Sequence, residues 1–356
     1  MSSKLEQISQ LTGKSPTTVA RALRNDPQYK VRDSVRQQVL DAARQLGYVP
    51  NHLARSFASG KSFCIGVLLG RPETDLGTPF FAPVLTEMLR VSMKRGYQST
   101  LLPIEWDERG EDPVLKVLQS RRIDGFFISS GMLGDRTLKE IRDRNVPVVT
   151  TETEGIQKRA GRVCVVRRDD RPGYTALAAE LYNRGHQRIA YVGPALQEDS
   201  LVMRRRFLAL KASLAEVSIE LPEERALFYR PRMAGAMSET SEARWAAEQE
   251  LDRLTECTAI VAATDQVAFG VADALRRAGV EPGRDIALAG FGNLEENPNF
   301  PTDAPFLTTI DPERQLRGRR IAEMLIEMLE DPGVGDRVSH VPTRLIVRDS
   351  MVDAAS

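Results

Sequence analysis

The sequence predicts an α/β protein in which a small helical head precedes a body of parallel sheets with helices on both faces. Three observations carry this. Short apolar runs alternate with amphipathic stretches from about residue 62 to residue 350, as strand–helix repeats do. Three brief helical patterns, each with its own start or stop signal, fill residues 1–49. Basic residues gather at the front. Residues 1–60 hold nine Lys/Arg against four Asp/Glu, a net charge of +5 within a chain whose formal total is 0. At 356 residues the chain exceeds one simple core, and two or three domains are expected.

In the head, Ser3 and Glu6 have capping-box spacing, Leu5, Ile8 and Leu11 follow as an apolar stripe, and Gly13 ends the first helix. The second helix starts at Ser15, with Pro16 where its missing N–H costs nothing. Val19, Ala22 and Leu23 face inward. The third carries Val35, Val39, Ala42 and Leu46 and ends at Gly47, with Asp33 suited to its N-terminal dipole. Helix, glycine turn, capped helix and support helix make a helix-turn-helix, and a basic one is expected to bind nucleic acid. Its second helix would enter the major groove N-terminus first. Pro16, Thr17 and Arg21 are the candidates for base edges, with Arg21 matched to a guanine. Ser15 and Thr18 suit a phosphate or the helix cap. Arg24 and Asn25 extend the surface.

The residues that follow carry a resemblance. TVARAL, LGYVPNHLARSFASGKS and IGVLL stand in order at the front, and RRIDGFFI, DDRPG, RGHQRIAYVG, ATDQVAFGVADALRRAGV and DIALAGFGN follow downstream. Over essentially its whole length the chain resembles the LacI/GalR (lactose-repressor) family of bacterial transcription factors. The resemblance implies a helix-turn-helix domain at 1–49, a hinge helix and linker at 50–61, and an effector-binding and dimerisation domain at 62–350. It also implies that the hinge orders only when two subunits sit on palindromic double-stranded operator DNA. Tyr48, Asn51, His52, Ala54, Arg55 and Phe57 then join the DNA-contacting set. Phe57 stands where the family carries a leucine wedge, and an aromatic ring suits insertion at a base step. Gly60-Lys61-Ser62 mimics the end of a phosphate-binding loop, but Arg55 occupies the position that loop needs as glycine.

Strands are expected at 63–69, 99–104, 125–129, 147–151, 163–166, 188–192, 226–229, 259–263 and 286–291. Ligands of such sheets bind beyond the strand ends, so a cleft between two α/β units is the expected site. The resemblance implies two Rossmann-like subdomains of periplasmic-binding-protein type joined by three crossovers. The first is expected at about 62–166 plus 294–322, the second at about 167–293 plus 323–350. It places effector contacts at Arg71, Phe80, Phe81, Ser129, Ser130, Asp169 or Asp170, Arg206, Tyr229, Asp265, Gly292 and Asn293. Phe80 and Phe81 are equally readable as core, Asp265 as a helix cap, and Arg206 as part of a solvated basic face. Two departures stand out. Thr264-Asp265 replaces the family's usual Asn-Asp, and Gly292 replaces an acid. Loss of that acid, with Arg71 and Arg206 present, points toward an anionic ligand. Gly290-Phe291-Gly292 is similar to family members that respond to gluconate-like sugar acids, so the resemblance implies a sugar or sugar acid as effector.

No catalytic constellation is visible: His52, His186 and His340 lie apart, with no Ser or Cys partner in a motif. Cys64, Cys164 and Cys257 have neither metal-ligand nor disulfide spacing. No cofactor or metal is expected. MSSKLEQISQ lacks an apolar signal region, no run reaches membrane-span length, and a cytoplasmic protein is expected. Few residues follow the last strand near 345–348, so a homodimer is expected. The leading reading is a repressor. An activator of the same architecture, or a solute-binding protein, are the alternatives.

Overall fold

The computed structural model describes residues 3–24, 31–48, 56–57, 59–69, 80–103, 113–129, 133–151, 160–195, 201–230, 238–297, 302 and 304–354. The chain forms two compact units, Met1–Ser62 and Phe63–Ser356.

The first unit holds α1 (Lys4–Thr12), α2 (Pro16–Arg24) and α3 (Asp33–Gln45). Both arms of the capping box form. The Ser3 amide donates to Glu6 Oε2 at 2.7 Å and the Glu6 amide donates to Ser3 Oγ at 3.2 Å. Gly13 closes α1 in the left-handed region (φ +62°), which glycine adopts without steric cost. Ile8, Val19, Ala22, Val39, Ala42 and Ala43 make the core, flanked by Leu5, Leu23, Leu46 and Tyr48. Leu11 is a correction. It is 55% exposed, because α1 offers the small core only one narrow face.

The second unit contains two six-stranded sheets. The first has the order β11-β5-β4-β3-β1-β2, from β1 (Cys64–Leu69), β2 (Gln98–Pro103), β3 (Gly125–Ile128), β4 (Val148–Thr150), β5 (Val163–Asp169) and β11 (Val338–Pro342), all parallel. The second has the order β12-β10-β9-β8-β6-β7, from β6 (Ile189–Pro194), β7 (Ala226–Tyr229), β8 (Ala259–Ala262), β9 (Ala287–Phe291), β10 (Thr308–Asp311) and β12 (Arg344–Ile346). Only β12 runs antiparallel, against β10. Buried apolar strands such as CIGVLL and AIVA need cover on both faces. On the first sheet α4 (Ala82–Lys94) and α12 (Arg314–Glu330) cover one face and α5 (Pro113–Gln119) and α6 (Asp135–Asp143) the other. On the second, α7 (Arg171–Asn183) and α8 (Leu201–Glu216) lie opposite α9 (Glu239–Gln249), α10 (Leu251–Thr255) and α11 (Asp265–Arg277).

All nine expected strands form. The expected subdomain boundaries are corrected. Residues 294–322 were assigned to the first subdomain, yet β10 pairs with β9 in the second sheet. Residues 323–350 were assigned to the second, yet the rest of α12 packs on the first sheet and β11 pairs with β5 there. The chain therefore crosses after residues 169, 311 and 342. Short strands such as Thr308–Asp311 owe their place to hydrogen bonds with distant neighbours, which no local periodicity encodes.

Each sheet's main helix pair meets at a glycine. A Cβ on Gly318 would lie 2.2 Å from the Val84 carbonyl oxygen, and one on Gly270 would lie 2.3 Å from that of Thr240. On the α4–α12 seam Glu87 receives Arg90 at 2.6 and 2.7 Å and Arg319 at 3.2 Å, and these guanidiniums hold its carboxyl down at about 2. Cys64, Cys164 and Cys257 are free thiols. No helix among the described residues is long and apolar enough to cross a membrane. Gly318→Ala is expected to destabilise the body by about 1–3 kcal/mol by forcing α12 from α4. Denaturant unfolding measures this, and an unchanged midpoint would show that the helices part freely.

Candidate functional site

Two regions hold the candidate residues, one in each unit. In the head, α2 presents its N-terminal turn to solvent. Ser15 Oγ accepts from the Thr18 amide at 3.2 Å and lies 2.9 Å from Thr18 Oγ1, so these hydroxyls cap the helix. Ser15, Pro16, Thr17 and Arg21 are exposed along one side while Val19 and Ala22 are buried on the other. Tyr48 packs against the head's core. Phe57 is 91% exposed and helical in conformation. Asn25, Asn51, His52, Ala54 and Arg55, with the Arg24 side chain, lie outside the described residues.

In the body the site grows from the carboxyl ends of the second sheet's strands. Phe291 ends β9. Over its ring lies the Arg206 guanidinium, 3.8 Å from the centroid. Arg206 projects from α8, is 4% exposed, and donates from Nη1 to the Ala263 carbonyl at 2.9 Å. Burial and the Arg168 charge pull its pKa down to about 10. Arg168 sits 4.9 Å from the same ring and holds Asp170 through two hydrogen bonds, one of 2.9 Å. Tyr174 packs against Phe291 at 6.0 Å and Tyr191 against Phe207 at 5.0 Å. The hydroxyls of Tyr174, Tyr191 and Tyr229, and Nε of Arg206, are buried without a hydrogen-bond partner among the described residues. Burial raises all three phenols well above their ordinary range.

The structure divides the expected effector residues. Arg206 lies over Phe291, the neighbour of Gly292, and its burial excludes the basic-face reading. Tyr229, at the end of β7, instead packs with Ala243 and Ala246 on the other face of the sheet. Phe80 reaches the site. A Cβ on Gly292 would lie 3.0 Å from its ring. Phe81 instead stacks on Phe127 at 6.3 Å, inside the first subdomain. Asp170 is taken up by Arg168, and Asp169 Oδ1 accepts from the Arg171 amide at 3.1 Å. Ser129 Oγ donates to the Leu68 carbonyl at 3.1 Å. Arg71 and Ser130 lie outside the described residues.

Asp265 needs correction as a cap. Thr264 caps α11, its hydroxyl accepting from the Val267 amide at 3.1 Å. Asp265 turns inward, accepting from Thr309 Oγ1 at 2.6 Å and the Leu294 amide at 2.7 Å. Both oxygens are thus engaged in joining β9 and β10 to α11. Gly292 has a physical reason. Its φ is +143°, and a side chain would meet Phe80 and, at 3.3 Å, Asp265 Oδ2. An acid there would face both a ring and a like charge. Sequence reading missed Arg168, Tyr174 and Tyr191. The first two flank DDRPG, and their spacing on either side of that motif was the available signal.

A helix-turn-helix head with a two-sheet body of this topology defines a DNA-binding regulator built on a periplasmic-binding-type scaffold. Residues 4–51 match the model described as bacterial regulatory proteins, lacI family, and residues 178–351 match the periplasmic binding protein-like domain. The HTH-type transcriptional regulator GntR of Pseudomonas aeruginosa is 27% identical over 347 residues, 97% of this chain and 95% of its own. A LacI-family transcriptional regulator from Silicibacter pomeroyi superposes with a TM-score of 0.62 at 26% identity, covering 98% of this chain and 99% of that one. The lac repressor dimer bound to operator and the anti-inducer ONPF shares the fold, with a TM-score of 0.63 at 21% identity over 97% of this chain and 98% of that one. The head thus carries the helix-turn-helix of the lacI family of bacterial regulatory proteins, and along nearly its whole length the chain is similar to transcriptional regulators.

Burial raises Asp265 from 3.8 to about 6. Its contribution to stability is therefore complete below about pH 4 and lost as pH rises through about 6. Asp265→Ala strands a buried amide and hydroxyl and should cost about 1–3 kcal/mol. The difference from the parent should narrow between pH 4.5 and pH 7.5 in denaturant titrations. A gap that widens with pH would mean that the carboxylate is stabilised as the anion.

Proposed function

We propose that this regulator is a cytoplasmic homodimeric repressor that binds palindromic double-stranded operator DNA through α2 and the 50–61 segment. A sugar or sugar acid bound at the strand ends of the second sheet controls it. The observation that carries the ligand reading is Arg206, a guanidinium buried to 4% exposure over Phe291 with no ion-pair partner among the described residues. An aromatic face with a directed cation suits a ring or chain that is apolar on one side and oxygen-rich on the other. The head supports the DNA reading by presenting hydroxyls and Arg21 at one helix end, where phosphate and base contacts are made.

The coupling follows from the crossings. A ligand held between subdomains favours one mutual arrangement of the two sheets, and the paired heads read that arrangement. Such couplings are typically about 1–3 kcal/mol. The lac repressor relative binds operator and ONPF, and a cellobiose complex is known for CelR, of the same fold.

Selection of sites from random duplexes at fixed, near-physiological salt tests the reading, because phosphate contacts dominate raw affinity. An enriched palindrome is expected, and salt-sensitive binding without enrichment would refute it. Arg21→Ala should cost about 1–3 kcal/mol on that site and relax preference at one base position. Equal loss on every sequence would reduce Arg21 to a phosphate contact.

A further inference from the structure

The chain enters the body through a strained residue. Ser62 ends the first unit and Phe63 begins the second. Phe63 has φ +51° and is the one aromatic among the described non-glycine residues with positive φ. A bulky side chain is rare in this left-handed region, because Cβ crowds the following carbonyl oxygen. Such a conformation persists only where its surroundings hold it. Here neighbouring strands do so. The Phe63 amide donates to Asp124 Oδ2 at 2.7 Å, at the root of β3. Its carbonyl accepts from the Gln98 amide at 2.8 Å, at the start of β2. Its ring lies 5.8 Å from that of Tyr97, which is buried in the first sheet's core.

Asp124 is itself fixed. Its amide donates to the Cys64 carbonyl at 2.9 Å, so its backbone and side chain grip two consecutive residues of the entering chain. Ile123 before it is buried. Gly125 after it lets β3 lie close to its neighbours, since a Cβ there would be 3.1 Å from both the Pro147 carbonyl oxygen and Leu325 Cδ1. The stretch RRIDGFFI therefore holds one carboxylate rigidly beneath Phe63, and neither the ligand site nor α2 uses it. A strand start needs neither a left-handed aromatic nor a carboxylate clamp, because ordinary ladder hydrogen bonds suffice. What the strained turn adds is a fixed direction for the chain arriving from the DNA-binding head.

Resting on the dimeric operator reading above, we propose that Phe63 and Asp124 are positioning residues for DNA binding. Their clamp fixes the direction in which the tether, residues 50–62, leaves the body, and with it the half-site spacing that the paired heads accept. A tether free to swivel at its root lets each head reach half-sites over a range of separations. A tether held at its root favours one separation, because any other demands that the clamp open or the DNA deform. Neither residue touches DNA in this role. Both act through the backbone between them and the head.

Affinities of the full-length protein for the selected palindrome, and for copies with one base pair added or removed at its centre, test this at fixed salt. The parent should prefer the selected spacing by about tenfold or more. Asp124→Ala should reduce that preference by about threefold or more, while the preferred half-site sequence stays the same. Asp124→Asn keeps an oxygen for the Phe63 amide and should keep the preference. Phe63→Asn tolerates the left-handed region but loses the ring, so it should melt lower yet keep the preference. Phe63→Val keeps apolar bulk but resists that region, so it should lose the preference. A residue that only stabilised the body would give the opposite order, with Phe63→Val nearer the parent than Phe63→Asn. Should Asp124→Ala fail to fold, the Phe63 pair decides alone. The opposite order, or Asp124→Ala and Phe63→Val both keeping the parent's spacing preference, overturns the clamp and leaves the dimeric reading standing. Failure to select any palindrome removes the dimeric reading and overturns the clamp with it.

Discussion

The body is organised by three passages of the chain between its two sheets, and these passages are stitched to one another. The Thr343 hydroxyl donates to the carbonyls of Asp169 and Asp170 at 3.1 and 3.2 Å and accepts from the Gly173 amide at 3.1 Å, joining the first crossing to the third. Arg344 pairs with Asp311 and Glu313, joining the third to the second. Three parallel tethers restrict relative motion of the subdomains far more than one linker would. Residues beside the crossings are therefore where a bound molecule would have most leverage on the two sheets.

That constraint explains why buried charge collects near the crossings. Arg168 and Asp170 flank the first, and Asp311, Glu313 and Arg314 surround the second. Asn293, in the left-handed region at φ +51°, gathers Arg314, Arg348, Glu296 and Asp311 around one turn. Such networks specify a single arrangement more than they add stability. In an allosteric protein that trade is useful, since a switch needs defined alternatives. The packing beneath is stricter. Gly270 and Gly318 let helix backbones touch at the centre of each helix pair, and no side chain larger than hydrogen fits.

Much was legible in the sequence alone because it is local. The Ser3–Glu6 capping box, the glycine stops and the Pro16 start are written in adjacent residues, and the first nine strands announce themselves as apolar runs between helical patterns. The split between Phe80 and Phe81 was not legible. Neighbouring aromatics at a helix start look alike until the sheet beneath takes one of them. Asp265 was read as a ligand contact or a cap from its place beside Thr264. Only the return of β10 with Thr309 turned it into an internal brace.

The amino-acid sequence by itself determined the class of the protein, the helix-turn-helix and the alternation of strands and helices, and it marked Arg206 as a candidate. The tertiary structure decided which strands share a sheet, which acids are already neutralised and which guanidiniums are not. The physical reason is range. Helix signals act over one turn and strand signals over a few residues. Charge compensation depends on who stands nearby in space, as Arg348 and Glu296, far apart in sequence, do beside Asn293.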